Sequence, residues 1–476
     1  MTASLCDRSA VELRRMIGDK EISPRELLAS CRERAAAVNP SVNALVAEDP
    51  RAEGAAEAAE AAVLRGDTLG PLHGLPLGIK DLTETEGLTT SFGSQLFKDN
   101  VPAADDPLVA RLRQAGGIVA AKTNTPEFGA GANTRNDVYG ATGNPFDPVK
   151  TCAGSSGGSA VALALSMLPL CTGSDLGGSL RTPAAYCGVV GLRPTPHLVP
   201  DVGGNRVFSP LSVEGPMARS VADLGLMLWA MAGEDPMDPL SRPLAMGQRQ
   251  AAHADPASAR VALSEDLGVA PVSKAVRQLF RARTAEMAPL FKSCRSADPD
   301  LQDANWVFET LRAVGFLASY RGYYEQSHDL LGPNVRANVA LGLERSATDV
   351  ADAQVGHAKL YRGFQRFLQD YDYLICPVAS VQPFDKSQWY PEEIDGKPLA
   401  TYISWIAITY AITLTGCPSI VLPCGVDEEG LPFAVQIVGR PWQEAALLDF
   451  AAAVESALAK LPHCARPLPN LQNLRG

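Results

Sequence analysis

The chain has 476 residues, with 42 basic against 53 acidic side chains and a net charge of −11, a balance that argues against a sequence-independent nucleic-acid surface. No uninterrupted apolar run is long enough to span a bilayer and no basic-then-apolar leader opens the sequence, so the expectation is a cytoplasmic protein with no membrane segment. The length allows two or three average domains or one large α/β unit, and composition does not choose between them.

Residues 1–69 read as helices that flank a core. Ser23, followed by Pro24 and Glu26, is a helix start with a capping-box option, backed by an apolar stripe of Leu27, Leu28 and Cys31. Asp49 and Pro50 open an alanine- and glutamate-rich helix through Leu64, suited to a solvated surface. Residues 70–232 read as the core. There G-P-L-H-G-L-P-L-G-I-K-D, from Gly70 to Asp81, delivers a short apolar strand ending at Lys80. By spacing alone Lys80 is equally a lysine whose stem covers apolar surface with its amine in water, or a functional amine. His73 belongs to no cluster and reads as structural. A helix over 106–117 precedes the strand I-V-A-A-K, whose Lys122 is a second candidate base, and a long loop with turn residues Asn144 and Pro145 follows.

From Thr151 to Pro183 two glycine-flanked serine clusters enclose A-V-A-L-A-L-S-M-L-P-L. A flexible linker would be polar throughout, whereas this segment is apolar enough for a buried helix passing into a buried strand. The spacing predicts a helix opening near Gly157 or Gly158, a strand through Leu168 to Thr172, and a second loop in which Ser179 follows Gly177 and Gly178. Serine, close-approaching glycine backbone and a base form the minimum set for a serine nucleophile.

After Arg181, A-A-Y-C-G-V-V-G-L-R-P reads as another buried strand. A loop then leads to a helix started by Ser220 and Asp223. Residues 233–370 turn more polar and read as mostly helical, and Trp306, Phe308, Tyr320, Tyr323 and Tyr324 read first as helix core, second as the wall of an acyl pocket. Residues 371–476 restore the sheet with the strands Y-D-Y-L-I-C-P-V-A, P-S-I-V-L-P-C-G and L-P-F-A-V-Q-I-V and an apolar helix between the first two.

None of the ten cysteines forms a C-x-x-C pair, so zinc spacing is absent and reduced, structural thiols are expected. The six histidines, His73, His197, His253, His328, His357 and His463, form no metal pattern and no evident Ser-His pair, which makes a lysine base more plausible.

The run from Ala153 to Ser159 (A-G-S-S-G-G-S), the segment from Asp175 to Arg181 (D-L-G-G-S-L-R) and Lys80 in G-L-P-L-G-I-K-D resemble, in register, the three motif elements of the amidase signature hydrolases. Ala153 replaces the family's first glycine. The similarity runs from about Ala10 to Leu458 and is weakest between Gly233 and Asp370. The resemblance implies one large α/β/α domain with a central mixed sheet covered by helices on both faces. It also implies Ser179 as nucleophile, Ser155 as proton relay behind a cis Gly154–Ser155 peptide, and Lys80 as base. Leu176, Gly177 and Gly178 would form the oxyanion hole, and Gly154, Ser156, Ser174, Asp175 and Arg181 would hold the geometry. Phe128 and Gly129 would lie near the substrate, Lys122 would be structural, and neither metal nor cofactor is implied.

A lysine base works only when neutral, so its site must disfavour the ammonium. The expected activity is hydrolysis of a small carboxamide, anilide or carbamate by water through an acyl-enzyme, with a homodimer allowed. A glutaminase subunit of a tRNA-dependent amidotransferase is the alternative. An inactive binding scaffold is a third reading, which the intact Lys80, Ser155 and Ser179 set argues against.

Overall fold

In the computed structural model, which describes residues 4–202, 207–244 and 255–474, the N-terminal helices begin where their caps place them. His253 lies outside these residues. Ser9 caps α1 (Ala10–Gly18) by accepting from the Glu12 N–H. Ser23 and Glu26 form the reciprocal capping box that opens α2 (Pro24–Val42). After β1 (Leu45–Glu48), α3 (Ala52–Arg65) buries Ala52, Ala56, Ala59 and Val63 on one face, the helical spacing of an amphipathic surface element.

The core follows as β2 (Pro76–Lys80), α4 (Pro107–Gln114), β3 (Ile118–Thr123), α5 (Gly157–Ala164), β4 (Leu170–Asp175), α6 (Arg181–Cys187), β5 (Val190–Arg193), β6 (Val213–Ala218) and α7 (Val221–Met231). Then come β7 (Arg260–Leu263), α8 (Lys274–Met287), β8 (Ser293–Ser296), and three helices, α9 (Ala304–Gln326), α10 (Pro333–Glu344) and α11 (Ala347–Asp370). The chain closes with β9 (Tyr373–Pro377), α12 (Ala407–Thr413), β10 (Ser419–Val426), β11 (Pro432–Val438) and α13 (Glu444–Leu458).

These eleven strands join one mixed sheet in the order β1-β3-β2-β4-β6-β5-β10-β11-β9-β7-β8. The neighbours β3, β2 and β4 run parallel, which is why β2 and β3 are buried at every position and read as continuous apolar runs. Helices pack on this sheet in contacting pairs, α5 with α6 and α7 with α13, giving a single α/β domain.

One expectation is corrected here. The segment after Arg181 is strand only from Val190 to Arg193; its first half is α6, buried on every side, so its sequence shows no amphipathic period to separate helix from strand. Pro183 sits in the first turn of that helix, where proline costs no hydrogen bond. Within residues 233–370, where helices α8 to α11 predominate, β7 and β8 extend the sheet at one edge.

Candidate active site

β2 carries Lys80 to its C-terminal end between two parallel neighbours, and the side chain is fully buried. Its Nζ donates to three serine hydroxyls, Ser155 Oγ at 2.7 Å, Ser174 Oγ at 2.8 Å and Ser156 Oγ at 2.9 Å. Burial disfavours the ammonium and lowers the Lys80 pKa to about 7, against an opposing pull from the Glu214 and Asp175 carboxylates. The snorkelling alternative is thereby removed, since the amine does not reach water.

Ser155 and Ser156 stand at the N-terminal end of α5, which approaches β3 so closely that a Cβ on Gly158 would lie 2.2 Å from the Asn124 nitrogen. The Gly154–Ser155 peptide is cis. The Ser156 N–H donates to the Ser179 carbonyl at 3.1 Å, so the two serine loops are joined directly.

The second loop is organised by Asp175 at the end of β4. Its carboxylate accepts from the Gly178 N–H (2.8 Å), the Leu180 N–H (3.2 Å) and both Nε and Nη2 of Arg181 (2.9 and 3.0 Å), with Arg193 Nη1 at 3.4 Å. Burial alone would raise its pKa, but the Arg181 and Arg193 guanidiniums hold it down at about 2. Arg181 then reaches across the molecule to the Thr409 carbonyl (2.8 Å), Thr413 Oγ1 (3.0 Å) and Gln436 Oε1 (3.1 Å). Gly178 has φ +129°, and a Cβ there would fall 2.3 Å from Thr409 Oγ1, so no other residue fits.

This geometry corrects one expectation. The Gly178 N–H is spent on Asp175 and is not aimed at a substrate. Among the described residues no hydrogen bond engages the amides of Leu176, Gly177 and Ser179. The Ser179 hydroxyl makes no hydrogen bond among the described residues. It lines the same cavity as Ser155, about 220 Å³ in volume.

Phe128 and Gly129 line this cavity; a Cβ on Gly129 would lie 3.4 Å from Ser155 Oγ. Of the aromatic cluster, Phe308 and Tyr320 line the cavity, Phe308 also stacking on Tyr410 at 4.3 Å. Trp306 and Tyr323 are partly exposed, and Tyr324 packs against His328. Lys122 is buried on the neighbouring strand and donates to the Thr83 carbonyl, Thr85 Oγ1 (3.1 Å) and Thr90 Oγ1 (3.0 Å), away from the serines. His73 Nε2 bonds the Ala59 carbonyl at 2.9 Å and stands apart from the site.

Sequence reasoning missed Arg193, Thr409, Glu214 and Arg312. Thr409 Oγ1 holds the Gly177 carbonyl at 2.6 Å. Glu214 and Arg312 both line the cavity, and the Glu214 carboxyl, pushed up to about 8 by burial, has an Oε2 that accepts no hydrogen bond among the described residues. Glu214 lies opposite Ser174 across the β4–β6 pair, a neighbour that only the fold reveals. Among the described residues no cluster of three His, Cys, Asp or Glu side chains is arranged to hold a metal ion. The arrangement offers a hydroxyl nucleophile, a buried amine linked to hydroxyls and unengaged amides, the parts of an acyl-transfer centre.

The profile of the Amidase family matches residues 26–448. An acylamidase of Rhodococcus erythropolis is 35% identical over 461 residues, covering 94% of this chain and 95% of that protein. A glutamyl-tRNA(Gln) amidotransferase subunit from Moorella thermoacetica is 33% identical over 475 residues, covering 94% and 96%. Among solved structures, a 6-aminohexanoate cyclic dimer hydrolase superposes with a TM-score of 0.85 at 26% identity, covering 98% of this chain and 100% of that one. A bacterial aryl acylamidase superposes with a TM-score of 0.88 at 24% identity, covering 94% and 96%, a likeness of fold.

Proposed function

From the premise that this chain belongs to the amidase signature family and is an amide hydrolase, we propose that Ser179 is its nucleophile, Ser155 its proton relay and Lys80 its base. The observation that carries this reading is the Lys80 Nζ to Ser155 Oγ bond of 2.7 Å, made by an amine that is fully buried. Ser179 Oγ attacks the amide carbonyl carbon as its proton passes to Ser155 and the Ser155 proton passes to Lys80. The amides of Leu176, Gly177 and Ser179 receive the oxyanion, each donor worth on the order of 3 kcal/mol in comparable centres. The C–N bond then breaks, with the lysine proton returning through Ser155 to the leaving nitrogen. Water cleaves the acyl-enzyme along the same path, giving the acid.

Ser156, Ser174, Asp175 and Arg181 act by position, and Phe128 and Gly129 as substrate contacts. A small carboxamide, anilide or carbamate suits the 220 Å³ cavity. All three catalytic side chains come from one chain, so catalysis needs no residue from a second copy even in the homodimer that the sequence reading allows. Ten unpaired cysteines suit a reducing compartment, the cytoplasm.

Ser179→Ala should abolish turnover with little effect on folding, and a fluorophosphonate probe should label the wild type and not the variant; persistent labelling would move the nucleophile to another serine. The resemblance to the amidotransferase protein supports a second reading, a glutaminase working within a complex. Ammonia release from L-glutamine, together with copurification of partner proteins, would favour it over the free-standing enzyme.

A further inference from the structure

The helix α9 presents Phe308, Arg312, Phe316 and Tyr320, spaced four residues apart, along one wall of the reaction cavity. Three of the four are aromatic, and the fourth is a guanidinium only 6% exposed. Its position differs from that of the other buried arginines. Arg181 and Arg193 share the Asp175 carboxylate, and Arg219 gives its donors to the carbonyls of Leu168, Cys6 and Arg8. Among the described residues Arg312 donates only to Asn338 Oδ1, through Nη1, and stacks at 4.6 Å over Phe316 and 5.4 Å over Tyr402. Among the described residues no carboxylate pairs with it; Glu309, on the same helix, is engaged by Arg345 at 2.9 Å.

A guanidinium withdrawn from water without a counter-charge is costly, and two aromatic faces and one amide offset only part of that cost. Arg312 lines the cavity, so a partner for it can come from what enters there. A carboxylate fits the planar donor fork with two parallel N–H···O bonds. Glu214 borders an adjoining chamber, also lined by Glu84, Asp106 and Asp201, whose lining does not include Arg312.

We propose that Arg312 is a specificity residue that pairs with a carboxylate on the substrate, so that this enzyme prefers small amides bearing an anionic group. The proposal rests on the amidase reading and narrows it to a substrate class.

The test compares an anion with its neutral isostere at each end of the scissile bond. For the acyl side the pair is glutaric acid mono-4-nitroanilide and its terminal carboxamide, followed by 4-nitroaniline release. For the amine side it is 4-acetamidobenzoate and 4-acetamidobenzamide, followed by acetate release. The wild type should favour the anion in one pair by about tenfold or more in kcat/KM, mainly through KM, as expected for a buried charge-assisted bidentate pair. Arg312→Gln should bring that ratio to about one or below, and Arg312→Lys should retain part of it. A ratio taken within one enzyme form cancels general damage to folding or to the triad. Wild type that shows no preference for the anion in either pair, or Arg312→Gln with an unchanged ratio, overturns the proposal. Failure of the amidase reading looks different: no member of either pair would be turned over above the Ser179→Ala background.

Discussion

In the proposed relay Lys80 can serve as base near neutral pH because its surroundings make the ammonium expensive and so leave the amine neutral. Full burial does so while the Glu214 and Asp175 carboxylates pull the other way, and the balance leaves a pKa of about 7. A base must be neutral to act, so kcat/KM should fall as pH drops through about 7, far below the ~10.4 of an ordinary lysine. Lys80→Ala should lose that acid limb together with most of the rate, which a pH profile on one activated amide measures; an unchanged limb with near-normal rate would reopen the case for Lys122. Glu214 allows a finer test. With its own carboxyl pushed up to about 8 by burial, Glu214 is mostly neutral where Lys80 titrates near 7, so Glu214→Gln should move the acid limb only slightly and to lower pH, and a shift to higher pH would contradict the assignment.

At the scale of elements, the loop from Asp175 to Arg181 is held by charges that are themselves buried. Arg181→Met would remove the guanidinium that chelates Asp175 and three bonds to α12 and β11. Breaking such a pair typically costs about 3–5 kcal/mol, so urea unfolding should show a large loss of stability, and activity should fall with it. The sign with pH follows from Asp175, whose folded pKa of about 2 lies below its ordinary 3.8. Its contribution is full above about 3.8 and lost as pH falls toward 2. The stability gap between wild type and Arg181→Met should therefore narrow on acidification.

Much of this layout was legible in the sequence. Capping residues fixed the starts of α2 and α7, and the helix after the first serine cluster opens at Gly157, as its spacing predicts. The missed pieces share a cause, since each depends on partners distant in sequence. Strand β6 is not marked in the sequence, where Gly215 and Pro216 interrupt it, yet β5 pairs only with Met217 and Ala218, so Pro216 has a strand neighbour on one side alone. Gly178 looks like an oxyanion donor by spacing, and only the folded position of Asp175 shows that its N–H is taken. Arg312 sits in a run of residues that reads as amphipathic helix, where a single arginine carries no mark of being buried.

At the scale of the whole molecule, the order of the strands matters more than their number. The six strands made first lie on one side of the sheet, and β7, β8 and β9 lie on the other. Only the hairpin of β10 and β11, made last, joins them through β5 and β9. A chain ending at Cys417 should therefore carry two further open sheet edges, at β5 and β9. It should collect in the insoluble fraction and show no turnover, whereas a soluble, active truncation would mean that the halves associate without the hairpin. On the ribosome the same arrangement sets a timetable. Lys80 and both serine loops emerge early, but Thr409, Thr413 and Gln436, which Arg181 grips, emerge near the end of translation, so a growing chain carries the proposed triad for most of its synthesis and should become an amidase only once the closing hairpin joins the two groups of strands.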